Sequence, residues 1–244
     1  MTKRPIVIMV AMQSEMDYLL EKLQNIKCEK VNKYEFYEGT MKDYPVVICH
    51  FHIMSFNAAI ATTIAITKYN PIAIINEGCS GSHSKDIRRN NIIIGEKCIN
   101  IISAKTPHKS EHEGSNSLDW ELVSFFEEKD DELEYQTADK TLLELCKTIQ
   151  FEKEKVYFGT LGSGDVWNNE TDKIMHLNKK YGTLCEDMES IALYYTANTF
   201  NIPVIGIRFI SNNELIGEAY DTNFQKNAQE YTYQLILKII EREV

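Results

Sequence analysis

Short runs of β-branched apolar residues recur along this chain, each parted from the next by a stretch with helical spacing, and that alternation limits the possible folds most. Residues 6–10, 72–75, 156–162 and 204–210 read as strands buried on both faces, because they are apolar without the polar alternation of a half-exposed strand. Residues 34–41 and 46–53 read as a hairpin turning at Lys42-Asp43-Tyr44-Pro45, and residues 91–103 as a strand pair. Helical patterns occupy residues 14–24, 57–68, 189–200 and 222–242. In the last of these, Tyr231, Leu235, Ile236, Ile239 and Ile240 share one face. Strands alternating with helices predict a single α/β domain over residues 1–244, with a central twisted, mixed and largely parallel sheet flanked by helices. The 5 prolines and 11 glycines are scattered, so no linker divides the chain.

Charge and composition narrow the partners. A net charge of −10 leaves no basic stripe for nucleic acid. No apolar stretch reaches the roughly 18–20 residues of a membrane span. The run 6–12 is followed by Glu15 and Asp17, which makes a poor signal peptide. A cytoplasmic protein with neither nucleic-acid nor membrane partners is expected. The six cysteines form no CxxC pair and no zinc spacing, and read mostly as small buried hydrophobes; no metal and no cofactor is expected. The charged runs 127–132 and 152–155 read as solvated faces, and the polar stretch 104–117 as a mobile loop.

In α/β folds ligands gather at the carboxyl ends of strands. Four such ends here carry polar or glycine-rich residues: 11–15, 76–81, 163–165 and 211–213. Glu15 is either a helix-start acid stabilised by the dipole or a base that activates water. Asp187-Met188-Glu189 opens a helix; it also supplies what a sugar pocket needs, a carboxylate for two hydroxyls and a thioether for the carbon face. Trp167, after Ser163-Gly164-Asp165-Val166, is either core or a stacking wall for a flat heterocycle. Arg208, near the end of a buried strand, must be paired. Asn212, at that strand's end, offers both a donor and an acceptor.

Together these segments resemble the methylthioadenosine/S-adenosylhomocysteine nucleosidases of the purine nucleoside phosphorylase/nucleosidase superfamily. The resemblance rests on Glu186-Asp187-Met188-Glu189-Ser190, on Ile207-Arg208-Phe209-Ile210-Ser211-Asn212, and on the 23-residue offset from Glu189 to Asn212. Ala11-Met12-Gln13-Ser14-Glu15, Gly78-Cys79-Ser80-Gly81 and Ser163-Gly164-Asp165-Val166-Trp167 resemble the family's other motifs in the same order. The resemblance implies an N-glycosidase acting on a purine nucleoside through an oxocarbenium-like transition state. It implies that Glu15 positions or deprotonates the attacking water, that Glu189 binds the ribose hydroxyls with Met188 packing on the sugar, and that Arg208 sits near the ribose or orients Glu15. It places the base among Ser163, Asp165, Trp167, Ser211 and Asn212, and the sugar near Glu77, Gly78 and Cys79. The 5′ substituent falls to Met12, Met54 and Phe56. A homodimer, whose partner chain closes the 5′ pocket, is likewise implied.

Three departures from that pattern bear on activity. Asn212 stands where the family has an aspartate that protonates purine N7; an amide cannot give up a proton as an acid can. It can still donate a hydrogen bond to N7 and another to an exocyclic oxygen, so the expected substrate is a hypoxanthine- or guanine-type nucleoside, or a methylthioadenosine/S-adenosylhomocysteine-like one handled slowly. The family's glycine-rich turn reads Ile53-Met54-Ser55-Phe56, which alters the 5′ pocket, and Glu77 adds an acid near the sugar. Phosphate requires cationic or N–H-rich clamps, and Glu15 and Glu77 would repel it, so water is the expected nucleophile. A phosphate-dependent phosphorylase and a catalytically weak nucleoside-binding protein stand as alternatives.

Overall fold

The computed structural model describes residues 3–124, 133–221, 223 and 225–243. The acidic run 127–132 and the expected start of the last helix at Thr222 lie outside those residues. In chain order the elements are β1 (Ile6–Val10), α1 (Asp17–Lys22), β2 (Gln24–Val31), β3 (Tyr34–Met41), β4 (Tyr44–His50), α2 (Ser55–Tyr69), β5 (Ala73–Ser82) and β6 (Ile92–Asn100). There follow β7 (Ala104–Lys105), β8 (Glu121–Leu122), β9 (Gln136–Thr137), α3 (Lys140–Lys147), β10 (Val156–Ser163), α4 (Thr171–Tyr181), β11 (Thr183–Asp187), α5 (Ser190–Thr199), β12 (Val204–Asn212) and α6 (Gln225–Glu243).

The expected α/β architecture forms. β1 is buried throughout and pairs in parallel with β4 and β5 on its two sides. β12 lies parallel to β5 and antiparallel to β6, while β10 runs parallel to both β6 and β11. β11 then pairs antiparallel with the far end of β5. Five strands therefore close on themselves, and the loose ends of β5, β11 and β12 meet at one mouth. An antiparallel meander of β2, β3 and β4 forms the opposite edge. The sheet is thus mixed, with parallel pairings through its centre. Helix α5 packs with α2 against one part of the sheet, and α6 packs with α1 and α3 against another. The predicted stripe of α6 is buried from Tyr231 to Ile240, at about 1.5–3 kcal/mol for each large apolar side chain removed from water.

Local differences have physical causes. Residues 14–24 do not form one helix. Gln13–Glu15 is a 3-10 turn, α1 occupies six residues, and the chain then leaves into β2. β2 is an almost wholly exposed edge strand, so it lacks the buried face that reveals a strand through its pattern. The hairpin turns on Lys42 and Asp43 alone, both at positive φ (50° and 61°), and Tyr44 and Pro45 already belong to β4. Residues 91–103 contain one nine-residue strand rather than a pair. β5 continues past Ile75 through the glycine motif to Ser82. Helices α3 and α4 and strand β11 were not anticipated by pattern. The stretch 104–117 is exposed and almost without regular structure, apart from the short β7–β8 pairing. Cys49, Cys98, Cys146 and Cys185 are buried as expected, Cys79 is partly buried and Cys28 is exposed.

Candidate active site

Glu15 owes its position to the 3-10 turn that follows β1. The turn brings its carboxylate back over the strand end, where Oε2 accepts from the backbone N–H groups of Ala11 (3.0 Å) and Met12 (2.9 Å). Oε1 accepts from Cys79 N–H at 2.9 Å, across the sheet at the middle of β5. Burial pushes this carboxyl above its ordinary range, against the opposing pull of those N–H groups and of Arg208. The acid is held on three sides and is more basic than a surface glutamate.

Arg208 explains its own presence in a buried strand. Its Nε donates to Asp187 Oδ2 at 2.8 Å, and its Nη2 donates to Ser190 Oγ at 2.7 Å. Burial alone would lower the guanidinium's pKa; Asp187 foremost, then Glu189 and Glu15, hold it above the ordinary value. Asp187 does a second task. Its Oδ1 accepts from Ser163 Oγ (2.8 Å) and from the backbone N–H of Glu189 (2.9 Å) and Ser190 (2.8 Å), so it satisfies the free N–H groups that open α5. Glu189, at the N-cap position of that helix, is relieved of capping. Its side chain turns to the cavity, with Oε1 accepting from Met54 N–H at 3.0 Å. Burial first and Asp187 second push the Glu189 carboxyl up to about 8.

A cavity of about 180 Å³ opens to solvent at this mouth. Of the residues expected there, Met12, Glu15, Cys79, Trp167, Met188, Glu189, Ser211 and Asn212 line it. Trp167 is 56% exposed at the rim and meets Tyr220 at a ring-centroid distance of 5.5 Å, which makes an aromatic wall. Asn212 Nδ2 donates to Glu214 Oε1 at 3.2 Å, and Ser211 Oγ lies 3.1 Å from Asn212 Oδ1.

Other expected residues stand elsewhere. Ser163 is fully buried, donating to Asp187 and accepting from Ile191 N–H, and does not reach the cavity. Asp165 accepts from Ser55 N–H (2.8 Å) and Ser55 Oγ (2.6 Å), and so fastens the start of α2. Arg208 lies behind the lining, as a support. Gly78 is also beneath it: a Cβ there would come within 2.4 Å of Arg208 Nη1 and 3.2 Å of Glu15 Oε1, so the close approach of those two side chains requires glycine. Met54 and Phe56 are exposed beside the cavity, and Ile53 lines it in their place. Glu77 is 1% exposed, its Oε2 has no hydrogen-bond partner, and burial, reinforced by Glu15, pushes its pKa well up. It lies inside the sheet rather than in the cavity lining, and its burial favours the protonated form. Arg88 and Arg89 bind Glu218 and the carbonyl of Ala219 in the loop after β12.

Glu186, Asn168 and Tyr220 line the cavity without having been given roles by sequence. Alternation in β11 marks Glu186 out, since it is half-buried between the buried Cys185 and Asp187. Tyr220 had no local signal. It arrives because its loop folds back, with Asp221 N–H donating to the carbonyl of Ser211. Among the described residues no cationic side chain lines the cavity. Among the described residues no group of three or more His, Cys, Asp or Glu is placed to hold a metal ion, and no helix is long and apolar enough to cross a membrane.

The closed mixed sheet thus carries an acid-rich cleft at its strand ends. The sequence profile of the phosphorylase superfamily matches residues 5–241, and the chain belongs to that superfamily. Within it, the chain is 25% identical to the 5′-methylthioadenosine/S-adenosylhomocysteine nucleosidase of Desulfotalea psychrophila over 96% of both chains. It is 29% identical to the protein of that name from Buchnera aphidicola, covering 90% of this chain and 88% of the relative. Its fold matches the nucleosidase of that name from Neisseria meningitidis, solved in complex with methylthio-immucillin-A, with a TM-score of 0.78, 22% identity and coverage of 98% and 100%. It also matches the futalosine hydrolase of Helicobacter pylori, with a TM-score of 0.79, 16% identity and coverage of 96% and 98%.

Proposed function

We propose that the protein is a purine nucleosidase, which hydrolyses the N-glycosidic bond of a purine riboside. The convergence of Glu15, Met188-Glu189 and Asn212 on a single cavity carries this reading, and the nucleosidases among its relatives support it. Glu189 accepts the ribose hydroxyls while Met188 packs on the sugar. The base lies against Trp167 with Asn212 at its edge. As the C1′–N9 bond lengthens, its electron pair withdraws into the purine and the sugar gains oxocarbenium character. Water held by Glu15 adds to C1′ and gives its proton to that carboxylate, whose raised basicity suits the task. Asn212 donates a hydrogen bond to the departing base, which takes its proton from solvent.

Water is favoured over phosphate because the described residues of the lining include acids and no cation. Exposed Ile53, Met54, Phe56 and Ile60, beside the mouth, support a homodimer that covers them. The test is release of free base from inosine, guanosine, adenosine and methylthioadenosine, with and without phosphate. Release without phosphate is expected, and Glu15→Gln should lower it at least 100-fold, the scale of a general-base contribution. Turnover only with phosphate would replace the hydrolase by a phosphorylase.

A further inference from the structure

We infer that Glu186, held in place by His83, selects the base, and that it selects a 6-oxopurine. The inference rests on the nucleosidase reading and names the base which that reading leaves open. Glu186, Gly81 and Asn212 sit at facing register positions on three neighbouring strands. Glu186 lies opposite Gly81 across the antiparallel β11–β5 pair, and Asn212 lies opposite Gly81 across the parallel β12–β5 pair. Directly opposed residues project from the same face of a sheet. A Cβ on Gly81 would stand 3.4 Å from both the Oδ1 and the Nδ2 of Asn212, so the amide projects on that face too. With strands about 4.8 Å apart, the backbones that carry Glu186 and Asn212 stand two strand spacings apart, and the residue between them, Gly81, has no side chain to fill the face they share. Both line the cavity.

Glu186 is not a loose surface acid. Its side chain is 11% exposed, and its Oε2 lies 2.9 Å from Nε2 of His83, itself 1% exposed. Asn168 Nδ2 approaches the same oxygen at 3.4 Å. The other ring nitrogen of His83 lies 2.7 Å from Thr183 Oγ1. Whether the Thr183 hydroxyl donates to Nδ1 or a doubly protonated ring donates to Thr183, Nε2–H donates to Glu186. That leaves the carboxylate an acceptor. Because both protein donors share Oε2, Oε1 remains for a ligand. Neither the sugar end nor Glu15 uses this assembly.

A carboxylate accepts hydrogen bonds and donates none. Hypoxanthine and guanine present an N1–H donor beside the O6 acceptor, whereas adenine presents a bare N1 lone pair. Asn212 gives one Nδ2 hydrogen to Glu214 and keeps the other for O6 or N7. A 6-oxopurine therefore meets complementary groups at both edges. Adenine sets a lone pair against a fixed carboxylate, and a buried mismatch of that kind discriminates far more strongly than a difference in shape.

The test compares the full-length wild type with Glu186→Gln, in which the new amide keeps an oxygen for His83 and gains an N–H for adenine N1. Two readouts are used: kcat/KM for inosine and adenosine, and calorimetric binding of free hypoxanthine and adenine. The wild type should prefer inosine. The variant should shift the inosine-to-adenosine ratio toward adenosine by on the order of 100-fold, as expected for one lost hydrogen bond to a charged group. Faster wild-type turnover of adenosine, or an equal fall for both substrates, would overturn the inference. If the wild type cleaves no nucleoside, the nucleosidase reading fails by itself and the free bases decide: hypoxanthine binding should weaken and adenine binding should not. Should Glu186→Gln fail to fold, His83→Gln frees the carboxylate to tilt and must move the same ratio in the same direction, by a smaller factor. An unchanged ratio would overturn the assignment.

Discussion

Glu15, Glu77, Asp187 and Glu189 cluster around the buried cation Arg208, and their differing surroundings divide their roles. Asp187 takes the guanidinium directly. Glu77 has no partner for one oxygen, and burial pushes its pKa well up. Glu189 lies between these extremes, titrating near pH 8. Between its ordinary value of 4.5 and about 8, the folded protein keeps a proton on Glu189 that the unfolded chain has released. This carboxyl's contribution to stability is therefore present at low pH and is lost as pH rises through about 8. Ribose hydroxyls donate better to the ionised form, so nucleoside affinity should rise across the same interval. Calorimetric titrations from pH 6 to 9 should show this rise, and Glu189→Gln should flatten it while weakening binding roughly 10–100-fold. An unchanged pH dependence in the variant would remove Glu189 from the sugar site.

At the scale of the element, Asp187 is the joint between β11, α5 and β12. It caps the helix and pairs with Arg208. Asp187→Ala would leave a buried guanidinium without its counter-ion, at a cost of about 3–5 kcal/mol. For a chain of this length that corresponds to a fall in Tm of roughly 10 °C, read by thermal unfolding followed by circular dichroism. A fall of a degree or two would mean that Ser190 and Glu189 hold the arginine adequately. The same joint shows how far an element can be read from its residues. Four polar strand ends were visible in the sequence, and three of them, at 11–15, 76–81 and 211–213, supply the cavity. The fourth supplies only Val166, Trp167 and Asn168, because Ser163 and Asp165 turn away to fasten α5 and α2. Closeness to a strand end does not say which way a side chain faces.

Across the whole molecule, the start of α2 exposes Phe56 (53%) and Ile60 (50%), one turn apart, next to Ile53 and Met54. If a second copy covers this surface, light scattering should give the mass of a dimer. Phe56→Asp should then yield monomers with KM raised at least tenfold, since the cavity mouth loses its neighbour. A monomeric wild type would overturn the dimer.

The sequence by itself determined the α/β class, the parallel centre of the sheet and the superfamily. Continuous apolar runs can be covered only by helices on both faces, and short motifs at strand ends keep their identity without knowledge of their neighbours. The tertiary structure alone decided that Glu77 is sealed in the sheet, that Arg208 supports the site from behind, and that Glu186 faces Asn212 across Gly81. These outcomes depend on the closing of β11 onto β5, a pairing between residues about a hundred positions apart. Burial, and with it the protonation and pairing of each acid, follows from that closure, which no local pattern encodes.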